Sequence, residues 1–311
     1  GIPLEALEAE YDGKLEKVFP AGRAGGKAVK AFSFETTTRV SPRIPVAKPR
    51  VLIPVFPGTN CEYDSARAFE AAGAVSKVFV VNNLSSEAVA RSAKEFAAEV
   101  ADSQIVFVPG GFSGGDEPDG SGKFITAFFR NPGIREALSG LLEARDGLIG
   151  GVCNGFQALI KLGLVPYGEI RDTARLDPTL TFNTIGRHQS KLVRVRVASN
   201  KSPWLMHEPV GAVRMAPISH GEGRFIIEPE LLRALSENGQ IATQYCDESG
   251  APSMDILVNP NGSAAAVEGI TSPDGRVFGR MAHFERSGEF LYRNVPGDKE
   301  NTMFRGAVDY F

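Results

Sequence analysis

Val51–Phe56 is a short unbroken apolar run closed by Pro57-Gly58, the pattern of a strand buried on both faces. A helical stretch follows to Ala72, with Gly73 as its stop signal. Val75–Val81 reads as the next strand. Ser86–Val100 reads as a helix with its alanines and Phe96 on the buried side. Ile105–Val108 and Leu148–Val152 are the third and fourth strands. Strand and helix in this alternation predict an α/β domain with a mostly parallel sheet flanked by helices. After about Ile170 the pattern turns to shorter strands: Leu192–Val197, Ala212–Ala216 and Ile241–Tyr245. Asp274-Gly275 between Ala264–Thr271 and Arg276–Ala282 predicts a hairpin. Short antiparallel strands are therefore expected in the C-terminal half.

Two stretches precede the first strand. Residues 1–20 are acidic and partly amphipathic. Residues 21–50 carry seven basic residues against Glu35 alone, with Pro42, Pro45 and Pro49 near their end. A basic surface for a phosphorylated ligand is one reading; an extended, semi-rigid linker is the better one. The expected organisation is a tail and linker over 1–50 and one domain over 51–311. At 311 residues, 42% hydrophobic and 23% charged, the chain has ordinary globular composition with a sizeable core. The net charge of −3 argues against a broad nucleic-acid footprint, and no apolar run approaches a membrane span. The chain opens on Gly1 without a secretory pattern, which reads as a piece of something longer. Three widely spaced cysteines, Cys61, Cys153 and Cys246, make neither a disulfide framework nor a zinc spacing and favour a reducing, cytoplasmic compartment.

The sharpest chemistry lies in Gly150-Gly-Val-Cys153-Asn-Gly-Phe-Gln157. A strand ends at Val152 and a helix starts just after Cys153, with glycines on both sides. This is the layout of a nucleophile elbow carrying sulfur. The strained turn needs neighbours without Cβ atoms. It presents the sulfur to a helix N-terminus, where unpaired N–H groups attract negative charge. The Asn154 N–H can then bind an oxyanion. A buried cysteine acting as a small hydrophobe would not explain the three glycines. Cys61 also follows a strand but lacks that flanking pattern and reads as structural; Cys246 reads as a bystander.

A cysteine nucleophile needs a base and a group to orient it. His188, His207, His220 and His283 are the candidates. His283 and Glu285, two apart on an extended segment, point the same way and can pair. A structural, hydrogen-bonded histidine remains the commoner alternative for any one of them. No histidine pair has metal-ligand spacing, so no metal site is expected. Pro109-Gly-Gly-Phe-Ser-Gly-Gly-Asp-Glu117 follows the third strand. Its continuation through Gly120-Ser-Gly-Lys-Phe124 fails as a P-loop, since Glu117 and Phe124 stand at required Gly and Ser/Thr positions. The loop is better read as turning N–H groups toward the nucleophile, Gly111 above all; the bland reading is a surface loop. On the residues alone, a cysteine-elbow hydrolase or peptidase and a non-catalytic docking module both stay open.

Gly-Val-Cys153-Asn-Gly-Phe-Gln157, Pro109-Gly-Gly111 and His283-x-Glu285 resemble the class I glutamine amidotransferase family. More narrowly, they resemble the glutaminase part of the phosphoribosylformylglycinamidine synthases. The narrower likeness rests on Phe56–Asp64, Gly110–Asp116, His220-Gly-Glu-Gly-Arg224, Arg286, Asn294–Gly297 and the closing Tyr310-Phe311. Leu15–Pro20 resembles the stretch that closes the synthetase part of large single-chain forms. The resemblance implies a flavodoxin-like fold, Cys153 as nucleophile, His283 as base and Glu285 as its orienter. It implies Gly110, Gly111 and Asn154 around the oxyanion and Gln157 against glutamine. It also implies that glutamine hydrolysis needs no cofactor, with ATP and Mg2+ belonging to synthetase domains that are the expected partner. Phe284 departs from the family, where many relatives carry proline between the histidine and the glutamate.

Overall fold

The computed structural model describes residues 1–15, 26, 28–112, 122–300 and 302–311. The resemblance of Leu15–Pro20 therefore falls almost wholly outside the described residues, as does the Ser113–Ser121 part of the glycine-rich loop. Among the described residues, the main sheet has nine strands. In chain order its first half comprises β1 (Arg50–Val55), β2 (Val75–Val80), β3 (Ile105–Val108) and β4 (Leu148–Val152). The second half adds β6 (Gln189–Val197), β7 (Val213–His220), β9 (Ile241–Tyr245), β10 (Val267–Thr271) and β11 (Val277–Arg280). Their order across the sheet is β2-β1-β3-β4-β11-β10-β9-β6-β7. The first five are mutually parallel. From β10 onward every pairing is antiparallel. β10 and β11 form the hairpin expected at Asp274-Gly275. β5 (Thr179–Phe182) and β8 (Glu222–Ile226) make a separate two-stranded ribbon.

Helices cover both faces. On one face lie α2 (Glu62–Ala71) and α9 (Met303–Asp309). There Phe69, Phe304 and Trp204 pack on Phe107 of β3, with ring centroids 5.2, 5.6 and 6.0 Å away. On the other lie α3 (Ser86–Ala101), α4 (Lys123–Phe129), α5 (Pro132–Glu143) and α6 (Asn154–Leu162). Phe128 and Phe129 close on Phe56 there, edge to face in part, and Phe96 packs on both of them. Short α7 (Leu164–Tyr167) follows α6, and α8 (Pro229–Glu237) precedes β9. In helix α1 (Leu4–Gly13) every residue whose burial is described is exposed.

β4 shows why glycines crowd the elbow. A Cβ at Gly150 would stand 2.6 Å from Trp204 and 2.8 Å from Phe107. One at Gly151 would stand 2.7 Å from Leu159 of α6, on the opposite face. A Cβ at Gly155 would overlap the Val108 carbonyl oxygen of β3. None of the three has positive φ. They are there so that aromatic rings and α6 can close on the strand.

The 28–50 segment is fastened to the domain at several points. Gln244 of β9 accepts from Phe32 N–H at 2.8 Å and donates to the Lys30 carbonyl. Phe34 bridges Ser199, and Val46 N–H donates to the C-terminal Phe311 carbonyl at 2.8 Å. Arg43 pairs with Asp146 at 3.1 Å, and Arg50 lies 3.8 Å from both Glu99 and Asp102. Two of the seven basic groups thus face carboxylates, which weakens the phosphate-surface reading further. No helix among the described residues is long and apolar enough to cross a membrane.

Candidate active site

Cys153 closes β4 and opens α6 with φ 53° and ψ −106°, a backbone conformation that costs energy for any residue with a Cβ. Its N–H donates to the Arg280 carbonyl of β11 at 2.8 Å, so the neighbouring strand fixes the turn. The sulfur is 3.8 Å from the Ser219 carbonyl of β7. The residue is 4% exposed.

His283 and Glu285 lie just beyond β11. Nδ1 of His283 stands 2.6 Å from Oε1 of Glu285, and both side chains are buried. Among the described residues the imidazole's Nε2 has no hydrogen-bond partner. Burial alone would keep the ring neutral. The Glu285 carboxylate outweighs it, helped by the Cys153 sulfur through charge and hydrogen bonding and by the Cys61 sulfur. Together they hold the imidazole pKa well above its ordinary value.

The approach to this pair is built from several elements. His283 N–H donates to the Pro217 carbonyl of β7 at 2.9 Å. Glu268 of β10, fully buried, accepts from Met281 and Ala282 N–H at 3.1 and 2.7 Å and pairs with Arg280 at 3.0 Å. The Arg280 guanidinium in turn lies 3.8 Å from the Phe284 ring centroid. Phe284 therefore leaves the His283–Glu285 pair closed and adds a contact that proline would not make. The sequence offered no signal for Glu268 or Arg280 as supports.

The glycine loop reaches the same point from β3. A Cβ at Gly110 would stand 2.6 Å from His283 Cε1, so the ring packs flat against bare backbone. Gly111, at φ 147°, bridges Thr59. The bridging bonds run from Asn60 N–H to the Gly110 carbonyl and from Phe112 N–H to the Gly58 carbonyl. The N–H of Gly111 is thus outside that pairing and faces away from it.

Gln157 and Asn154, on the first turns of α6, are both buried. Gln157 accepts from Asn154 Nδ2 at 3.0 Å and donates to the Glu222 carbonyl of β8. Its amide thus ties the elbow helix to the β5–β8 ribbon, and keeps one N–H and one lone pair for a further partner.

The other histidines lie elsewhere. His188 meets Ser219 Oγ at 3.0 Å, and His207 meets Asp309 of α9 at 2.8 Å. His220 is buried against Asn183 Oδ1 at 3.2 Å. Burial first, then the nearby His283 and His188, lower the His220 pKa to about 3. The unfolded chain would protonate this residue near 6.5, so between these values the unfolded state binds more protons and stability rises with pH. At pH 5 the linked cost is about 2 kcal/mol, from about 1.5 pH units. His220→Gln should therefore lose about 2 kcal/mol less than the parent between pH 7.5 and 5 in urea unfolding. Identical pH dependence would show that His220 is not the group responsible.

Cys61, set aside on sequence grounds, belongs to this site. Its sulfur, His283 Nδ1 and a Glu285 oxygen all lie within 4.8 Å of one another, a donor set of the kind that holds soft metals. Arg286 Nη2, however, stands 2.9 Å from that sulfur. A guanidinium in that position opposes a cation.

A cysteine on a strand–helix elbow, a buried His–Glu pair beside it and a mostly parallel sheet beneath define a cysteine-dependent amidotransferase. The profile of the CobB/CobQ-like glutamine amidotransferase domain matches residues 48–311, and the chain belongs to that family. The "Phosphoribosylformylglycinamidine synthase subunit PurQ" of Methanococcus maripaludis is 34% identical over 281 residues, covering 85% of this chain and 97% of its own. The protein of the same name from Symbiobacterium thermophilum is 35% identical over 243 residues, covering 78% and 90%. Among solved structures, a chain of PurLQS from Thermotoga maritima superposes with a TM-score of 0.60 at 25% identity, covering 85% of this chain and 99% of that one.

Proposed function

We propose that the chain is the glutaminase component of a phosphoribosylformylglycinamidine synthase, releasing ammonia from glutamine for purine biosynthesis. The observation that carries the chemistry is the strained Cys153 at the head of α6 with the buried His283–Glu285 pair beside it. The relatives' names support the pathway. Cys153 Sγ attacks the glutamine side-chain carbonyl carbon. The developing oxyanion is met by N–H groups of Gly111 and Asn154. His283 Nε2 delivers the thiol's proton to the departing nitrogen, leaving ammonia and a γ-glutamyl thioester. His283 then takes a proton from water as it attacks the thioester, and glutamate and free Cys153 result. Glu285 holds the imidazole's Nδ1–H and stabilises the ring when both nitrogens are protonated. No step draws on a metal or nucleotide. ATP and Mg2+ serve the synthetase partner, where they activate the formylglycinamide ribonucleotide that receives the ammonia.

A glutamine-analogue electrophile tests this assignment. Brief exposure should label Cys153 ahead of Cys61 and Cys246. Burial pushes the Cys246 thiol up to about 12, which leaves it inert at neutral pH. Cys61 is fully buried and sits on no elbow, so an electrophile has no open path to its sulfur. Peptide mapping reads the result; equal labelling of all three cysteines would refute the choice of Cys153.

A further inference from the structure

Cys61 sits at the start of α2, on the loop from β1, and is fully buried. Its side chain does not cap the helix. The sulfur instead lies 2.9 Å from Asn60 Oδ1 and accepts a hydrogen bond from Arg286 Nη2 at 2.9 Å. A thiol has one hydrogen to give and lone pairs to accept with, so both contacts hold together. The same sulfur is 3.7 Å from His283 Nδ1, across 222 residues of chain.

The neighbouring carboxylate makes this contact informative. Glu285 directly precedes Arg286, and a guanidinium with room to swing can reach a nearby carboxylate and take it in a forked pair. Here Glu285 Oε1 faces His283, and Glu285 Oε2 is buried with no hydrogen-bond partner among the described residues. Arg286 lines a cavity of about 310 Å³ that His283, Pro217 and Tyr292 also line, so the guanidinium has room to move. Among the described residues, the guanidinium's hydrogen bond goes to the Cys61 sulfur.

We propose that Cys61 is a positioning residue that holds Arg286 off Glu285, so that the carboxylate's charge and geometry are reserved for His283. The inference rests on the reading of His283 and Glu285 as base and orienter. If Arg286 paired with Glu285, its positive charge would offset the carboxylate beside a ring that must become positive, and the imidazole would lose part of its anchor. The effect is on turnover.

The test is a double-mutant cycle in the complete glutamine-dependent enzyme, read as glutamate release, with folding checked by thermal melting. Cys61→Ala should lower kcat by roughly 10-fold or more while KM stays within about twofold. Cys61→Ser, whose hydroxyl still accepts from Arg286, should stay within about threefold of the parent. In an Arg286→Met background Cys61→Ala should have little further effect, because the charge it controls is gone. An unchanged kcat in Cys61→Ala would overturn the proposal. So would an equal loss in both Arg286 backgrounds, which would make the cysteine a packing residue or a direct partner of His283. Cys61→Ser as impaired as Cys61→Ala would also overturn it, by showing that sulfur chemistry and not hydrogen-bond acceptance is needed. Cys153→Ala in the same assay separates the two levels. If that variant still releases glutamate, the reading of the site itself fails.

Discussion

In the complete enzyme, Cys153→Ala is expected to abolish synthesis from glutamine, by on the order of 10⁴-fold or more, while synthesis from high ammonium is largely retained. The size follows from covalent catalysis. Without the sulfur no thioester forms, and the remaining oxyanion donors must work with water alone. The survival of the ammonium reaction follows from the division of labour proposed above, since phosphoryl activation lies on the synthetase partner. The substitution removes one atom from a residue that packs against backbone on both sides, so the elbow should stay folded. A product assay with each nitrogen source decides the matter. Loss of both activities in a folded variant would place Cys153 in the synthetase step.

His283→Ala should lower glutamate release by about 10² to 10⁴-fold, the usual worth of a positioned proton-transfer group. Glu285→Gln should cost less, because the carboxylate orients and stabilises the ring without itself transferring a proton. The structure gives that change two separable effects. Glutamine keeps an oxygen for Nδ1–H but loses the charge, and that charge is the foremost influence holding the imidazole's pKa up against burial. The order of the two losses is therefore as informative as their size. Parent-level turnover in folded His283→Ala would transfer the role to another histidine, and His188, already beside Ser219 of β7, would be next to test.

What the sequence made legible was chiefly local. The Val51–Phe56, Ile105–Val108 and Leu148–Val152 runs are apolar on both faces because helices cover both faces, and composition records that directly. The elbow could be read because its constraints lie within eight residues. His283 and Glu285 could be paired because they are two apart. The rest depends on contacts between distant segments. Cys61 has no flanking pattern to mark it, and its sulfur meets His283 across a contact between distant segments, beside the pairing of Thr59 with Gly111. Glu268 and Arg280 sit on adjoining strands of a hairpin that was expected, but their burial as a pair depends on the sheet closing round them. The order β9-β6-β7 could not be read because antiparallel strands of similar composition can be laid side by side in several ways. Gln157 illustrates a different limit. Its position was evident, but its engagement with the Glu222 carbonyl belongs to a ribbon, β5–β8, that the hydrophobic pattern did not reveal.

The seat of the reactive sulfur is set by main chain. Gly155 rests against the Val108 carbonyl, and Cys153 N–H is fixed to the Arg280 carbonyl. The helix thus meets the sheet through backbone at the one place where its height matters. Side chains farther out can be exchanged, enlarged or trimmed without moving that point of support. A scaffold of this kind separates precision from composition. Two chains alike at only about a third of their positions, as this one and the Methanococcus maripaludis protein are, can drift through different cores and still hold the same atom in the same place.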